Sequence, residues 1–389
     1  MPTAGARRGA LRYGLYGAGL LLLALAAYLG LAPVPIEPVV WKAPPDPGYQ
    51  GPHARNERLA GLTLIPLDDD SGPEHLAFGP DGKLYAATAS GRILRMDRDG
   101  GAREVYARID GGRVLGFDFD AQGRIIAADA YNGLIAIEPG GRIVSTLANR
   151  VGADDPILYA DAVVVARSGK IYFTDASRRF GPKQWGGTFN ASVLDILEHS
   201  STGRVLEFDP ATRTLRTLLS GLCFANGLAL SADERHLFVA ETGEYRVWKL
   251  AVDADKLDAA TVLAHAATRD AVAAKARVLL DNLPGYPDNL MRGQGGKIWL
   301  GLAKPRGKAV DDMADKPWLR ALTLRLPRAL WPVPPAYGHV LAFDESGRVV
   351  ADLQDPSGRY PETTGVTEAG DRLYIHSLHA TAIGYLPKR

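Results

Sequence analysis

The chain has 389 residues, 46% of them hydrophobic, with 45 Lys and Arg against 44 Asp and Glu and a formal net charge of +1. That balance gives no general attraction for nucleic acid. The single cysteine, Cys223, excludes an intramolecular disulfide and any zinc site built from several thiolates, and the length fits one large radial β fold as readily as two ordinary domains.

The first element is apolar. No charged residue stands between Arg12 and Glu37, and Leu20 to Leu31 is densely hydrophobic, which covers the roughly 20 residues a spanning helix needs. Residues 13–36 therefore read as a single membrane anchor. Arg7, Arg8 and Arg12 precede it while Glu37 and Lys42 follow, so the positive-inside rule puts residues 1–12 in the cytoplasm and the bulk on the periplasmic, lumenal or extracellular side. A cleaved signal peptide competes, since the small residues near Gly30 and Ala32 resemble a processing site, but Pro33 obstructs cleavage there. The proline-rich residues 37–57 read as an extended stalk.

From residue 58 to 389 the chain repeats. A turn followed by a strand recurs as DGKLYAAT from Asp81, QGRIIAAD from Gln122, SGKIYFTD from Ser168, ERHLFVAE from Glu234, GGKIWLGL from Gly295 and GDRLYIHS from Gly370. Each is answered by a second strand, such as GRILRMD from Gly91 or GHVLAFD from Gly338. Short apolar strands between Gly and Asp turns, at intervals of about 40 residues or more, predict an all-β, six-bladed β-propeller behind the N-terminal transmembrane helix. Stretches such as LTLIPL from Leu62 and EVYARI from Glu104 supply the remaining inner or outer strands. A parallel sheet is disfavoured because no regular amphipathic helices separate the strands. Three segments break the period: 178–202, 252–279 and 303–337. The second contains an alanine-rich helix near Ala267 to Val278. In the third, Trp318, Leu322, Leu326 and Trp331 alternate with Arg320, Arg325 and Arg328, which suits a lid over the central channel, an interfacial helix or an insertion packed on the blades.

Four polar residues share one register. Glu74, Asp161 and Asp288 lie ten residues before Leu84, Ile171 and Ile298, and Asn226 eleven before Leu237. In a closed ring, equivalent positions converge on the axis, where carboxylate and amide oxygens suit a hard cation such as Ca2+. The other two blades offer Leu115 and Thr363. For any one position a hydrogen bond between blades explains a polar residue equally well. A second recurring set, Thr88, Asp129, Asp175, Glu241 and Ser377, closes the following strand and reads as turn caps or blade bridges.

The stretches GRVLGFDFDAQGRIIAADAYNGL (Gly112 to Leu134), FANGLALSADERHLFVAET (Phe224 to Thr242) and LPGYPDNLMRGQGGKIWLGL (Leu283 to Leu302) resemble the strictosidine synthase-like family. Its anchored members also carry an insertion like that around Lys316 to Leu326. The family is related to the six-bladed, calcium-dependent propellers that include senescence marker protein, gluconolactonases, paraoxonases and squid-type phosphotriesterases. The resemblance implies Glu74 in GPEHLAF, Asn226 in FANG and Asp288 in PDN as metal ligands, with Asn289 beside them. It departs at Asp161, where the relatives usually carry Asn, so the inner shell would hold three carboxylates.

The resemblance further implies hydrolysis of a small-molecule lactone, aryl ester or phosphoester. Asp288 is then the first candidate for base or nucleophile, with water activation falling alternatively to Asp161 or to His379 in the last blade. His75 adjoins Glu74, but strand alternation turns it the other way, into the blade packing. His376 is a second histidine near the same end. Strictosidine synthases place a glutamate acid/base shortly after the fifth-blade tryptophan, and Lys304 stands about there, so alkaloid condensation lacks its proton-transfer group. A noncatalytic binding or scaffold propeller with a structural calcium is the competing class.

Overall fold

The computed structural model describes the backbone of residues 4–268 and 270–388, and side chains from Tyr13 onward within them. The side chains of residues 1–12, on which the cytoplasmic placement of the N-terminus rests, lie outside the described residues.

Within each blade a turn after the innermost strand sends the chain back on itself. Gly82, Gly123 and Gly169 adopt φ of 75°, 75° and 85°, values that favour glycine, and Asp120 accepts hydrogen bonds from the backbone N–H groups of Gln122 and Arg124 across one such turn. The strands that follow, Leu84–Ala87, Ile125–Asp129 and Ile171–Asp175, are buried along their whole length. They read as continuous apolar runs because a neighbouring sheet covers each face.

The strands form a six-bladed β-propeller. Its six main sheets have innermost strands His75–Phe78, Val114–Phe119, Ala160–Val165, Ala225–Leu230, Gly285–Arg292 and Thr363–Ala369, numbered here as blades one to six. Successive inner strands pack side by side, and the sixth returns to the first. The ring is closed by the strand Thr63–Pro66, which pairs antiparallel with Ala382–Pro387 as the outermost strand of blade six. Residues between blades make the core. Ile126 and Leu134 of blade two meet Phe173 and Leu206 of blade three, and Phe238 of blade four packs on Phe343 of blade five with centroids 5.9 Å apart. Burying each such side chain stabilises the ring by about 1.5–3 kcal/mol.

The helix Ala4–Leu31 precedes the ring, and its stretch Tyr13–Leu31 is long and apolar enough to cross a membrane. The helix stops at Leu31, short of residue 36: Ile36 is buried against Leu115, Tyr159 and Phe180, so residues 32–36 belong to the folded head. Residues 37–57 are extended apart from the helical turn Gly51–His53, and lie against the first insertion and the blades. Val39 N–H donates to the Glu198 carbonyl (2.8 Å), Trp41 stacks on His199 (4.1 Å) and Asn282 donates to the Pro45 carbonyl (2.9 Å).

The three insertions fold onto the ring. The first forms the helix Thr188–Glu198, the second the short helices Ala259–His265 and Ala271–Lys275, and the third the helix Pro317–Arg325. The fully buried Arg320 joins the first and third insertions to residues 37–57, donating to the carbonyls of Leu197, Ala314 and Val39.

Candidate metal centre

The positions in register share a backbone irregularity. Pairing between the first two strands skips from Ala160 to Val163 in blade three, from Ala225 to Leu228 in blade four and from Pro287 to Leu290 in blade five. Asp161, Asn226 and Asp288 occupy these bulges, which release a side chain from strict alternation. Glu74 stands one residue before His75–Phe78. In blade six the skip runs from Thr363 to Val366, so Thr364, not Thr363, is the structural equivalent. The Thr363 hydroxyl instead donates to the His339 carbonyl (2.9 Å).

The second recurring set holds the backbone that presents the first. Asp175 accepts from the N–H groups of Leu158 (3.2 Å) and Tyr159 (2.9 Å), just before Asp161. Glu241 accepts from Cys223 N–H (2.8 Å), just before Asn226. Gly227 lets adjacent blades close in, because a Cβ there would lie 2.2 Å from the Asp288 carbonyl oxygen.

Glu74, Asp161, Asn226 and Asp288 line one cavity of about 300 Å³, together with Arg113, Tyr159, Phe224 and His379. All four are buried, at 3% to 6% exposure. Burial raises the pKa of each of the three carboxyls. Arg113 offsets this at Glu74, whereas Asp161 and Asp288 are pushed well above the ordinary range by burial and then by their acidic neighbours. One guanidinium thus faces three carboxyl groups, and among the described residues the buried Asn226 Oδ1 has no hydrogen-bond partner. Excess acid beside an orphaned amide oxygen fits a hard divalent cation. Glu74 is turned toward Arg113, and the axial carboxylates are not gathered as tightly as His53, His339 and Asp352, whose ligand atoms all lie within 4.8 Å of one another.

His379 sits at the cavity mouth with its side chain 56% exposed, and its Nδ1 is paired with Glu362. That hydrogen bond raises its pKa, while Glu362 also holds Lys304 (2.5 Å). His75 turns away from Glu74 as alternation requires. It packs on Phe117 (4.8 Å) and borders a separate cavity of about 470 Å³ among inner-strand residues, where burial lowers its pKa to about 4. His376 is fully buried against Thr367 (2.8 Å) and takes no part in the site.

A second cavity of about 200 Å³ continues from the first, sharing Phe189, Ser192, Phe224, Asn226, Asp288 and Leu378. Val193, Ile196 and Leu197 of the first insertion wall it on one side, and Val310, Met313, Trp331 and Val333 of the third on the other. The third insertion therefore covers an apolar arm of the site. Arg113 was not singled out by sequence pattern; its signal is a lone charge two residues before Leu115, in the one blade whose register position is apolar.

Cys223 Sγ lies 3.3 Å from His199 Nδ1, and His199 Nε2 lies 2.8 Å from Glu244. The thiol is fully buried, borders neither cavity, and is held protonated by burial, so this chain of contacts is structural.

The strictosidine synthase-like N-terminal family model matches residues 51–96, and the strictosidine synthase model matches residues 161–255. The strictosidine synthase-like 13 protein of Arabidopsis thaliana is 30% identical over 325 residues, covering 75% of this chain and 74% of that protein. The human adipocyte plasma membrane-associated protein is 28% identical over 378 residues, covering 90% of this chain and 82% of that protein. Among solved structures, a Xanthomonas campestris gluconolactonase superposes with a TM-score of 0.56 at 20% identity, covering 91% of this chain and 98% of that one. The calcium-binding protein regucalcin from Agrobacterium tumefaciens gives 0.53 at 14% identity, covering 84% and 96%. Both share the propeller fold. Matched at 30% identity across three quarters of its length, the chain belongs to the strictosidine synthase-like family.

Proposed function

We propose that the protein is a membrane-anchored, calcium-dependent hydrolase of lactones, aryl esters or phosphoesters. The observation that carries this reading is the convergence of three buried carboxyls and an unpartnered amide oxygen on a cavity that runs directly into an apolar arm. Glu74, Asp161, Asn226 and Asp288 would hold the cation. When bound, calcium supplies polarisation of the scissile carbonyl or phosphoryl oxygen and stabilises the charge that develops there. The gluconolactonase and regucalcin likenesses agree with a lactone substrate and a calcium ion.

Of the three carboxylates, Asp288 alone borders both cavities. In this reading it would hold a water against a substrate whose apolar group fills the arm, and take that water's proton. Asp161 is the alternative acceptor. Glu362 favours the imidazolium of His379, which suits that residue to donating a proton to the departing oxygen at the mouth. Arg113 keeps Glu74 oriented and lowers the net negative charge around the cation.

The lid is tied to the anchor. Arg325 of the third insertion donates from Nε to the Ala32 carbonyl (2.7 Å) and from Nη1 to that of Leu29 (3.1 Å), at the end of the apolar helix. Exposed Leu330 and Val333 lie in the same insertion, so the arm opens near the membrane surface in this reading. The near-complete burial of the four donors favours a second reading, in which calcium only locks the blades of a binding or scaffold propeller. Condensation chemistry is disfavoured by Lys304 at the acid position.

Turnover of phenyl acetate and a lactone panel by the full chain, with and without chelator, tests the proposal. Metal-replete protein should hydrolyse at least one substrate and Asp288→Ala should abolish it. Equal rates in the two proteins, or no turnover on the whole panel, would remove the hydrolase reading.

A further inference from the structure

We propose a second metal site, for a zinc-class divalent cation, formed by His53, His339 and Asp352 where residues 37–57 cross blade five. His53 ends the short helical turn Gly51–His53, and His339 and Asp352 lie on the paired strands Gly338–Asp344 and Val349–Asp355. The register sets His339 opposite Gln354 and Leu341 opposite Asp352. Two-residue alternation therefore puts His339, Asp352 and Gln354 on one face of that strand pair, and this face meets residues 37–57.

Three ligand atoms converge there. His53 Nδ1 lies 2.8 Å and His339 Nε2 2.9 Å from the same carboxylate oxygen, Asp352 Oδ2, and all three atoms lie within 4.8 Å of one another. The other oxygen, Oδ1, is already held by Gln354 Nε2 (2.6 Å) and Asn56 Nδ2 (3.2 Å). Gln354 is fixed in turn by the Tyr337 hydroxyl (2.6 Å). One carboxylate oxygen is thus committed to an outer ring of amides while the other faces two imidazoles, the division of labour that outer partners impose on a ligating carboxylate.

The donor set selects the ion. Two nitrogens and one oxygen match zinc, which takes three protein ligands plus water at about 2.0–2.1 Å. Calcium is held by oxygen ligands, so this site and the axial one sort different ions. His339 and Asp352 are buried, whereas the His53 side chain is 13% exposed, which leaves an entry path and room for a water. A bound ion would fasten the C-terminal end of residues 37–57 to blade five. Without an ion, the two imidazole N–H groups simply share Asp352 Oδ2.

The test uses untagged full chain in detergent, stripped with chelator and dialysed against zinc in excess calcium, with metal content read by mass spectrometry and zinc affinity by calorimetry. One zinc per wild-type chain is expected, with affinity at least 100-fold weaker in His53→Ala and Asp352→Asn, and slower proteolysis of residues 37–57 only in zinc-loaded wild type. His53 lies outside the blades, so its variant keeps the fold. No retained zinc, or equal affinity in wild type and His53→Ala, would overturn the proposal whatever the outcome at the axial site.

Discussion

Asp195→Asn should stabilise the protein at neutral and alkaline pH and leave it unchanged in acid. Asp195 lies on the helix Thr188–Glu198, is fully buried, and has neither carboxylate oxygen hydrogen-bonded among the described residues. Burial pushes its pKa from 3.8 up to about 7, opposed by the nearby Ser177 hydroxyl and reinforced by the Glu198 charge. The unfolded chain releases this proton from about pH 4, while the folded chain keeps it until about pH 7. Over that interval the unfolded state gains free energy that the folded state does not, at about 1.4 kcal/mol per pH unit. Stability contributed by the protonated form is therefore full below pH 4 and lost as the pH rises to about 7, a total of about 4 kcal/mol. Urea unfolding of wild type and Asp195→Asn in detergent, from pH 4 to pH 8 with chelator present, reads the difference. Taking the difference cancels the axial carboxyls, which titrate alike in both proteins. The variant's advantage should grow from near zero to about 4 kcal/mol. A flat difference, or a variant less stable at pH 8, would refute the assignment of Asp195 as an unpaired buried acid.

Arg113→Met should tighten calcium binding by about 10- to 100-fold in calorimetry, because removing a like charge beside a divalent cation in a partly solvated cavity is worth about 1–3 kcal/mol; unchanged or weaker binding would show that Arg113 chiefly supports the ligands. Val310→Phe should fill the apolar arm and raise KM for a naphthyl ester about tenfold while changing that of a small acetate ester less than twofold, consistent with about 1–3 kcal/mol for a methylene-scale misfit. Glu362→Gln should lower the His379 pKa, since their hydrogen bond is the main cause of its rise. If the imidazolium is the proton donor, the alkaline limb of kcat/KM should then move to lower pH, and an unmoved limb would remove His379 from the mechanism.

The six blades were legible because each strand pair carries its own turn, as in DGKLYAAT, and local chemistry needs no distant partner. The closing strand was not legible in the same way. LTLIPL from Leu62 reads locally like any other strand, and its pairing with Ala382–Pro387 is fixed only when the ring closes. The axial register was legible to within one residue. Counting back from the second strand gives Asp161, Asn226 and Asp288 but Thr363 in place of Thr364, because the turn joining the first two strands of blade six is one residue shorter than in blades three and five. Arg113 is not legible in the sequence because its meaning lies in its partner Glu74, 39 residues earlier in the chain. The apolar arm depends on two insertions packed through Arg320, and its lining follows from that docking. Residues 37–57 look like a spacer by composition, and only their contacts with His199, Asn282 and blade five show them to be docked.

The most direct test is a calcium titration in which ion binding and ester turnover are followed in the same full-length sample. Turnover should rise with occupancy of a single site, with both midpoints at the same free calcium concentration and both lost in Asp288→Ala. Saturated binding without turnover would reduce calcium to a blade lock, and turnover that persists in chelator would contradict the account altogether.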